Sequence, residues 1–329
     1  MTRKMSTVRF GRCGVEVSRV ALGTWSYGGA RSVGARPVGW GGHDDDTALA
    51  AARRSWELGI THWDTADAYG DGHAERLLGR CWTNVPRDEI FLATKVGWVK
   101  GPHPHYYHPE QVRRQLDGSL ERLATERIDL YYFHHCDFGP DDVYLDGALE
   151  VVERARESGK IRFVGLSDWS AAKIVRLLDR IDPDVVQPYR NVVDDTYRSS
   201  GLAARVEADD LGVAFFSPLK HGLLTGKYEG PPEFEPGDMR RNVRGFRDPG
   251  LLERLRQVRR RIEARLEHPH PVLQALVGTL LADSPTASVL VGQRNPEQVE
   301  AAATLGSPLD PETAAWVHSL YARAEDGTL

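Results

Sequence analysis

The sequence predicts a (β/α)8 barrel, and three features of it agree on that fold. Eight short apolar or β-branched runs recur along the 329 residues. Each is followed by a segment with helical spacing, and the series extends over roughly 290 residues, which suits a closed parallel sheet better than an open one. The runs are RVALGT (19–24), ITHWD (60–64), IFLATK (90–95), IDLYYFH (128–134), IRFVGL (161–166), DVVQ (184–187), GVAFFS (212–217) and ASVLVG (287–292). They are nearly continuously apolar, as strands covered on both faces must be.

The other elements follow in order. VRFGRCGVEVS (8–18), with its Arg-Cys-Gly turn, reads as an N-terminal β-hairpin that plugs the barrel's lower end. DDDTALAAARRSWELG opens with aspartates suited to a helix cap, and HPEQVRRQLDGSLERLAT has proline in its first turn. VYLDGALEVVERARESGK, SAAKIVRLLDRI and SGLAARVEADDLG complete the helices between the strands, closed by glycine or charged residues. About 70 residues separate the seventh and eighth strands, too many for one connection. There, GKYEGPPEFEPGDMRRNVRGFRDPG (226–250) reads as a mobile surface loop, while LLERLRQVRRRIEARLE and PVLQALVGTLLAD read as helices. Additional helices are therefore expected between strands 7 and 8 and at the C-terminus, all in a single domain over 1–329.

Composition bounds the function. Hydrophobic residues make up 41% and charged residues 27%, the balance of a globular chain, and a net charge of −5 leaves no footprint for nucleic acid or anionic lipid. No apolar leader follows MTRKMSTVRF and no run of 18 apolar residues occurs, so the expectation is a cytoplasmic protein that binds neither nucleic acid nor membrane. Cys13, Cys81 and Cys136 are too few and scattered for a disulfide framework and read as reduced thiols.

Three motifs come close to other chemistries and fail. GDGHAE (70–75) has Glu75 where a dinucleotide fingerprint needs its third glycine. GLLTGKY (222–228) is one residue short of a phosphate loop, and GLSDW (165–169) puts Trp169 at the last glycine of a nucleophile elbow. HPHYYH (103–108) and the adjacent His134 and His135 suggest a metal-dependent barrel hydrolase, the rival enzyme class. Adjacent strand residues point to opposite faces, so the pair is poorly placed to share one ion, and no metal is assigned.

In a barrel, catalytic groups gather at the carboxyl ends of the strands. The residues there are Gly23, Thr24 and Trp25; Asp64, with Tyr69 beyond; Lys95; His134; Ser167 and Asp168; Gln187; Phe216 and Ser217; Gly292 and Arg294. Taken singly, Asp64 could cap a turn, Lys95 could be a solvated strand end and His134 a satisfied buried imidazole. Taken together they form a proton-donating device: a tyrosine is a weak acid at neutral pH, and an ammonium beside it favours its phenolate and eases donation. Asp64 would hold Lys95, and His134 would orient a carbonyl oxygen toward Tyr69.

The chain resembles the aldo-keto reductases in ALGTW, DTADAYGDGHAE, ATKVG, IDLYYFHHCD, VGLSDWS, VVQPYRN, FFSPLKHGLLTGKY and VLVGQRNPEQVE, which fall in family order over nearly the whole chain. The resemblance implies a (β/α)8 barrel that binds NADPH, with NADH as the alternative, without a dinucleotide-binding domain. It implies the catalytic tetrad Asp64, Tyr69, Lys95 and His134, and reduction of a small-molecule carbonyl (aldehyde, ketone or sugar) with Tyr69 as general acid. For the cofactor it implies Gly23, Thr24, Trp25 and Asp64 at the strand ends; Ser167, Asp168 and Gln187 around the nicotinamide carboxamide; and Phe216 against the ring. Ser217, Pro218, Leu219, Gly222, Leu223 and Lys227 would lie along the pyrophosphate, and Gly292, Arg294 and Gln298 at the adenosine end. Many relatives have Asn where Asp168 stands, and an ionised carboxylate can only accept hydrogen bonds. Trp25, Tyr27, Trp98 and Trp169 are the candidate substrate-lining side chains. The same fold and tetrad also resemble the β-subunits of voltage-gated potassium channels, which keeps an NADPH-binding partner protein as the second reading.

Overall fold

Strand residues enclosed on both faces build the centre of the molecule in the computed structural model, which describes residues 5–329. In chain order the strands are β1 (Thr7–Arg9), β2 (Glu16–Ser18), β3 (Val20–Gly23), β4 (Ser32–Val33), β5 (Arg36–Pro37), β6 (His62–Asp64), β7 (Phe91–Val96), β8 (Ile128–Phe133), β9 (Ile161–Asp168), β10 (Val185–Pro188), β11 (Gly212–Phe215) and β12 (Ala287–Gly292). β3 and β6 to β12 form a closed parallel barrel in which the last strand pairs with the first, Val289 against Val20. All eight expected strands are present. GVAFFS stops at Phe215 because the chain turns sharply there, with Ser217 at φ 63°, and IRFVGL runs on to Asp168.

The helices are α1 (Asp45–Glu57), α2 (His73–Cys81), α3 (Pro109–Arg122), α4 (Leu145–Glu157), α5 (Ala171–Ile181), α6 (Thr196–Ser199), α7 (Leu202–Ala208), α8 (Pro249–Arg265), α9 (Pro271–Leu281), α10 (Pro296–Ala303) and α11 (Pro311–Asp326). Their starts follow local chemistry. Asp44, Asp248, Asn295 and Asp310 each accept a backbone N–H in the first turn of α1, α8, α10 and α11, worth about 1 kcal/mol apiece. In α5, Ile174, Leu177, Leu178 and Ile181 are buried at the i, i+3, i+4, i+7 spacing that presents one apolar stripe to β9 and β10.

The hairpin β1–β2 closes the amino end of the barrel. Phe10 is fully buried, and its ring meets His62 and Phe91, which begin β6 and β7, edge-on at 5.3 and 5.7 Å. Gly11, at φ 54°, lies so close to β11 that a Cβ there would collide with the Gly212 amide.

At the other end, the short hairpin β4–β5 and the segment after it were not legible in the sequence. They are held by the loop expected to be mobile, which is pinned: Asp238 is fully buried, accepts the Gly41 N–H at 2.8 Å and pairs with Arg240 at 2.6 Å, and Phe246 is buried nearby. Polar groups facing inward give this proline- and glycine-rich stretch an anchor that its composition did not show. Among the described residues, no helix is long and apolar enough to cross a membrane.

Candidate active site

Strand register brings the site together. Gly23 pairs with Asp64, and Ser167 with Gln187, at the carboxyl rim. There the Lys95 ammonium forms an ion pair with Asp64 Oδ1, donates to the Thr65 carbonyl at 2.7 Å and reaches the Tyr69 hydroxyl at 3.5 Å. Gln187 Nε2 donates to the other Asp64 oxygen at 2.8 Å. Lys95 and Asp64 are both buried. Tyr69 follows β6 on a turn whose Gly70, at φ 61°, lies so near Gly28 that a side chain there would strike the Gly28 backbone. That close approach sets the Trp25 ring nearly parallel to Tyr69, centroids 6.1 Å apart. His134, held by its N–H to the Val96 carbonyl at 2.8 Å, meets Tyr69 edge-on at 5.9 Å. The four residues expected to act together are therefore one contiguous group.

Its electrostatics differ from the sequence expectation in one respect. Burial, and then the carboxylates of Asp64 and Asp67, hold the Tyr69 phenol well above its ordinary value, outweighing the Lys95 ammonium 3.5 Å from its hydroxyl. The reason is local: the lysine charge is already matched by Asp64, and Asp67 adds a second carboxyl. Burial pulls Lys95 down against the opposing pull of Asp64, and burial followed by the Lys95 charge pulls His134 well below its usual range. At neutral pH the arrangement is thus a protonated phenol beside a neutral imidazole and a buried ion pair, fit to donate a proton to an enclosed oxygen.

The profile of the Aldo/keto reductase family matches residues 19–322. The chain belongs to this family. It is 31% identical to "Aldo-keto reductase YhdN" of Bacillus subtilis (strain 168), covering 88% of this chain and 85% of that protein. It is 30% identical to "L-glyceraldehyde 3-phosphate reductase" of Escherichia coli (strain K12), over 88% and 84%. The solved glycerol dehydrogenase AKR11B4 from Gluconobacter oxydans superposes with a TM-score of 0.78 at 29% identity, over 97% of this chain and 95% of that one. The protein is an oxidoreductase acting on carbonyl and alcohol groups, of a family that uses NAD(P)H.

In this aldo/keto reductase the expected cofactor residues divide into two groups. One group is committed to the protein itself. The Thr24 hydroxyl donates to the Asp64 carbonyl at 2.9 Å, the Ser167 hydroxyl to the Gln187 carbonyl at 3.0 Å, and Leu223 and Pro218 are buried. Asp168 accepts backbone N–H groups from Cys136 and Ser170, each at 2.8 Å, so its carboxylate ties two loops together. Cys136 beneath it is buried with its thiol pushed up, first by burial and then by Asp168, which makes it a packing group. The other group lines the rim. Ser217 Oγ is enclosed without a partner among the described residues, beside Lys220, His221 and Gly222, three consecutive residues at positive φ. Arg294 donates to the Gly41 carbonyl at 3.0 Å, its own N–H is held by Gln298, and Arg240 stands near enough to lower it further after burial. Gly292 is open to solvent. Phe216 meets Trp169 edge-on at 4.9 Å.

Of the expected substrate-lining residues, Tyr27 is corrected: it is fully buried and donates to the Gln293 carbonyl at 2.9 Å, facing the core side of its turn. Trp98 and Trp169 are each 48% exposed and stand at the mouth with Trp25. HPHYYH is fastened by Tyr107, whose buried hydroxyl donates to the His135 carbonyl at 2.7 Å. His135 itself is buried, with its ring against the Gly97 carbonyl.

The sequence reading missed a polar layer beneath the tetrad. Glu75 is fully buried between the Thr94 hydroxyl and the Arg122 guanidinium, each at 2.6 Å. Both oxygens of Asp67 are buried without partners among the described residues, and burial, then Glu75, raises its carboxyl well above the usual range. His221, among Trp25, Trp40 and Trp169, was missed too; burial, then Arg240, pulls it down to about 4. Only a charged residue inside an otherwise apolar helix face, as at Glu75, could have signalled the first.

Proposed function

We propose that this chain is an NADPH-dependent reductase of small carbonyl compounds, one domain over 1–329, with Tyr69 as general acid. The observation that carries the reading is the Lys95 ammonium, which reaches both Asp64 and the Tyr69 hydroxyl. Bound NADPH would supply the hydride to the carbonyl carbon. Tyr69 would give its proton to the oxygen as that atom gains charge, leaving a phenolate that Lys95 stabilises at 3.5 Å and that solvent reprotonates. Because burial keeps the phenol protonated beforehand, the lysine contributes mainly once charge develops, which is where stabilisation accelerates a reaction. His134, neutral, would hold the carbonyl oxygen toward Tyr69, and Trp25, Trp98 and Trp169 would enclose the substrate.

The cofactor fits residues with unused hydrogen-bonding capacity. Ser217 and the left-handed run at 220–222 offer a concave turn to the pyrophosphate, with Lys227 beside it, and Phe216 offers a flat face to the nicotinamide. Arg294 is placed for a 2′-phosphate, the reason to favour NADPH over NADH. Quenching of tryptophan fluorescence by NADPH and NADH, with wild type and Arg294→Ala, tests the cofactor reading; equal affinities in the wild type would overturn the preference. Tyr69→Phe should keep NADPH affinity and lose nearly all reduction of an aldehyde screen that starts with glyceraldehyde 3-phosphate. Undiminished turnover in that variant removes Tyr69 from its role.

A further inference from the structure

Away from the tetrad, three side chains that no part of the reductase reading uses converge on one point of the rim. His43 precedes α1, Asp45 lies in its first turn, and His73 begins α2, which packs on α1. His43 Nε2 lies 2.7 Å from Asp45 Oδ1, and His73 Nε2 lies 2.8 Å from the same oxygen. The three ligand atoms fall within 4.8 Å of one another, all in partly buried side chains. The two imidazole rings stand nearly perpendicular, centroids 5.6 Å apart, so their Nε2 atoms meet at the carboxylate without ring overlap.

We propose that His43, Asp45 and His73 form a binding site for a divalent transition metal of the zinc or nickel type. Two imidazole nitrogens and one carboxylate oxygen are the borderline donors such ions prefer, and three protein ligands leave a fourth position for water. Coordination bonds of about 2.0–2.2 Å require the ion to sit between the three atoms and displace the two hydrogen bonds. Each ring then carries its hydrogen on Nδ1 and offers the Nε2 lone pair to the ion. Two charges oppose the ion: the positive amino ends of α1 and α2, and Arg80, 3.7 Å from the second Asp45 oxygen. Asp44, Asp45 and Asp46 at the start of α1 offset the first, and Arg80 is more than half exposed and free to swing away.

The ion would act as a brace and take no part in catalysis. His43 continues the segment in which Gly41 and Gly42 donate to Asp238 and Glu235 and Gly41 accepts from Arg294. Fixing His43 to α2 fixes that segment and, through it, the loop folded over the rim.

The test uses the tag-free, chelator-stripped full-length protein, titrated calorimetrically with zinc chloride and, separately, nickel chloride, with thermal melts in parallel. One ion per chain, a raised Tm that EDTA reverses, and affinity reduced at least about 100-fold in both His73→Ala and Asp45→Asn are expected, since even outer-shell partners of a metal change affinity 10–100-fold. His103→Ala, in the stacked His103–His108 pair elsewhere on the surface, should bind as the wild type does. Absence of stoichiometric binding, or binding unchanged in His73→Ala and Asp45→Asn, overturns the proposal and leaves a carboxylate shared by two imidazole donors. Circular dichroism of the metal-free variants shows whether each is folded, and the two substitutions are independent of one another in that respect.

Discussion

Replacing Lys95 by Met tests the energetic logic of the site floor. The ammonium is enclosed with three oxygen partners, the Asp64 carboxylate, the Thr65 carbonyl at 2.7 Å and the Tyr69 hydroxyl at 3.5 Å. Removing it strands Asp64 in the interior with Gln187 as its remaining donor. Breaking one side of a buried pair costs about 3–5 kcal/mol, because the abandoned charge has lost its solvent and its partner. At roughly 2.1 cal/mol/K per residue, a chain of 329 residues has an unfolding entropy of about 0.7 kcal/mol/K. The expected fall in Tm is therefore roughly 4–7 °C by scanning calorimetry. Adding Asp64→Asn, which removes the stranded charge and still offers Gln187 an acceptor, should recover part of it although one more native residue is gone. A Lys95→Met protein that melts with the wild type, or a double variant less stable than the single one, would refute the claim that the pair is held by mutual need.

Further outcomes follow from groups described above. With the Tyr69 phenol above its ordinary value, the kcat for reduction should show no basic limb below about pH 10; a limb centred near neutrality would mean that Lys95 outweighs burial and the two aspartates. Burial lowers His62 to about 3, whereas the unfolded chain titrates it near 6.5. Between those values the unfolded state binds a proton the folded state refuses, so this contribution to stability is complete above pH 6.5 and lost as pH falls toward 3, at no more than about 1.4 kcal/mol per pH unit. Urea melts of His62→Asn should accordingly show a shallower acid decline than the wild type, and an identical decline would count against it. Asp168→Asn should cost about 1–3 kcal/mol in the same melts, because one of the Cys136 and Ser170 amides would face a donor in place of an acceptor; an unchanged midpoint would show that one of those bonds is dispensable.

The barrel was legible because its strands are apolar on both faces, which turns each into a continuous run such as IDLYYF. That Asp64, Lys95 and His134 would lie together was legible because strand ends are where such runs break into polar residues, and the family resemblance added Tyr69 beyond the end of β6. What escaped the sequence has a common cause in contacts between distant elements. Glu75 on α2 meets Arg122 on α3 and Thr94 on β7, and no local pattern links the three. Tyr27 looked like a rim aromatic, but one turn of chain decides whether such a ring faces the mouth or the core, and here Gln293 holds it inward. The Tyr69 phenol is held up first by its burial and then by Asp64 and Asp67, and the burial does not show in the spacing of Tyr69 and Lys95 along the chain. Asp238 was hidden in a stretch whose composition signals a loose loop, since a buried anchor there depends on Gly41, which is distant in the sequence.

The seam between β3 and β12 carries a consequence for how the chain comes into being. Residue 20 pairs with residue 289, so the sheet stays an open ribbon throughout most of synthesis, with the backbone edge of β3 lacking its second neighbour until β12 leaves the ribosome. An unpaired apolar edge of that kind templates association with other chains. Slowing translation while β12 is still missing or enclosed in the ribosome should thus favour insoluble product, whereas the same delay before β3 has emerged should be harmless.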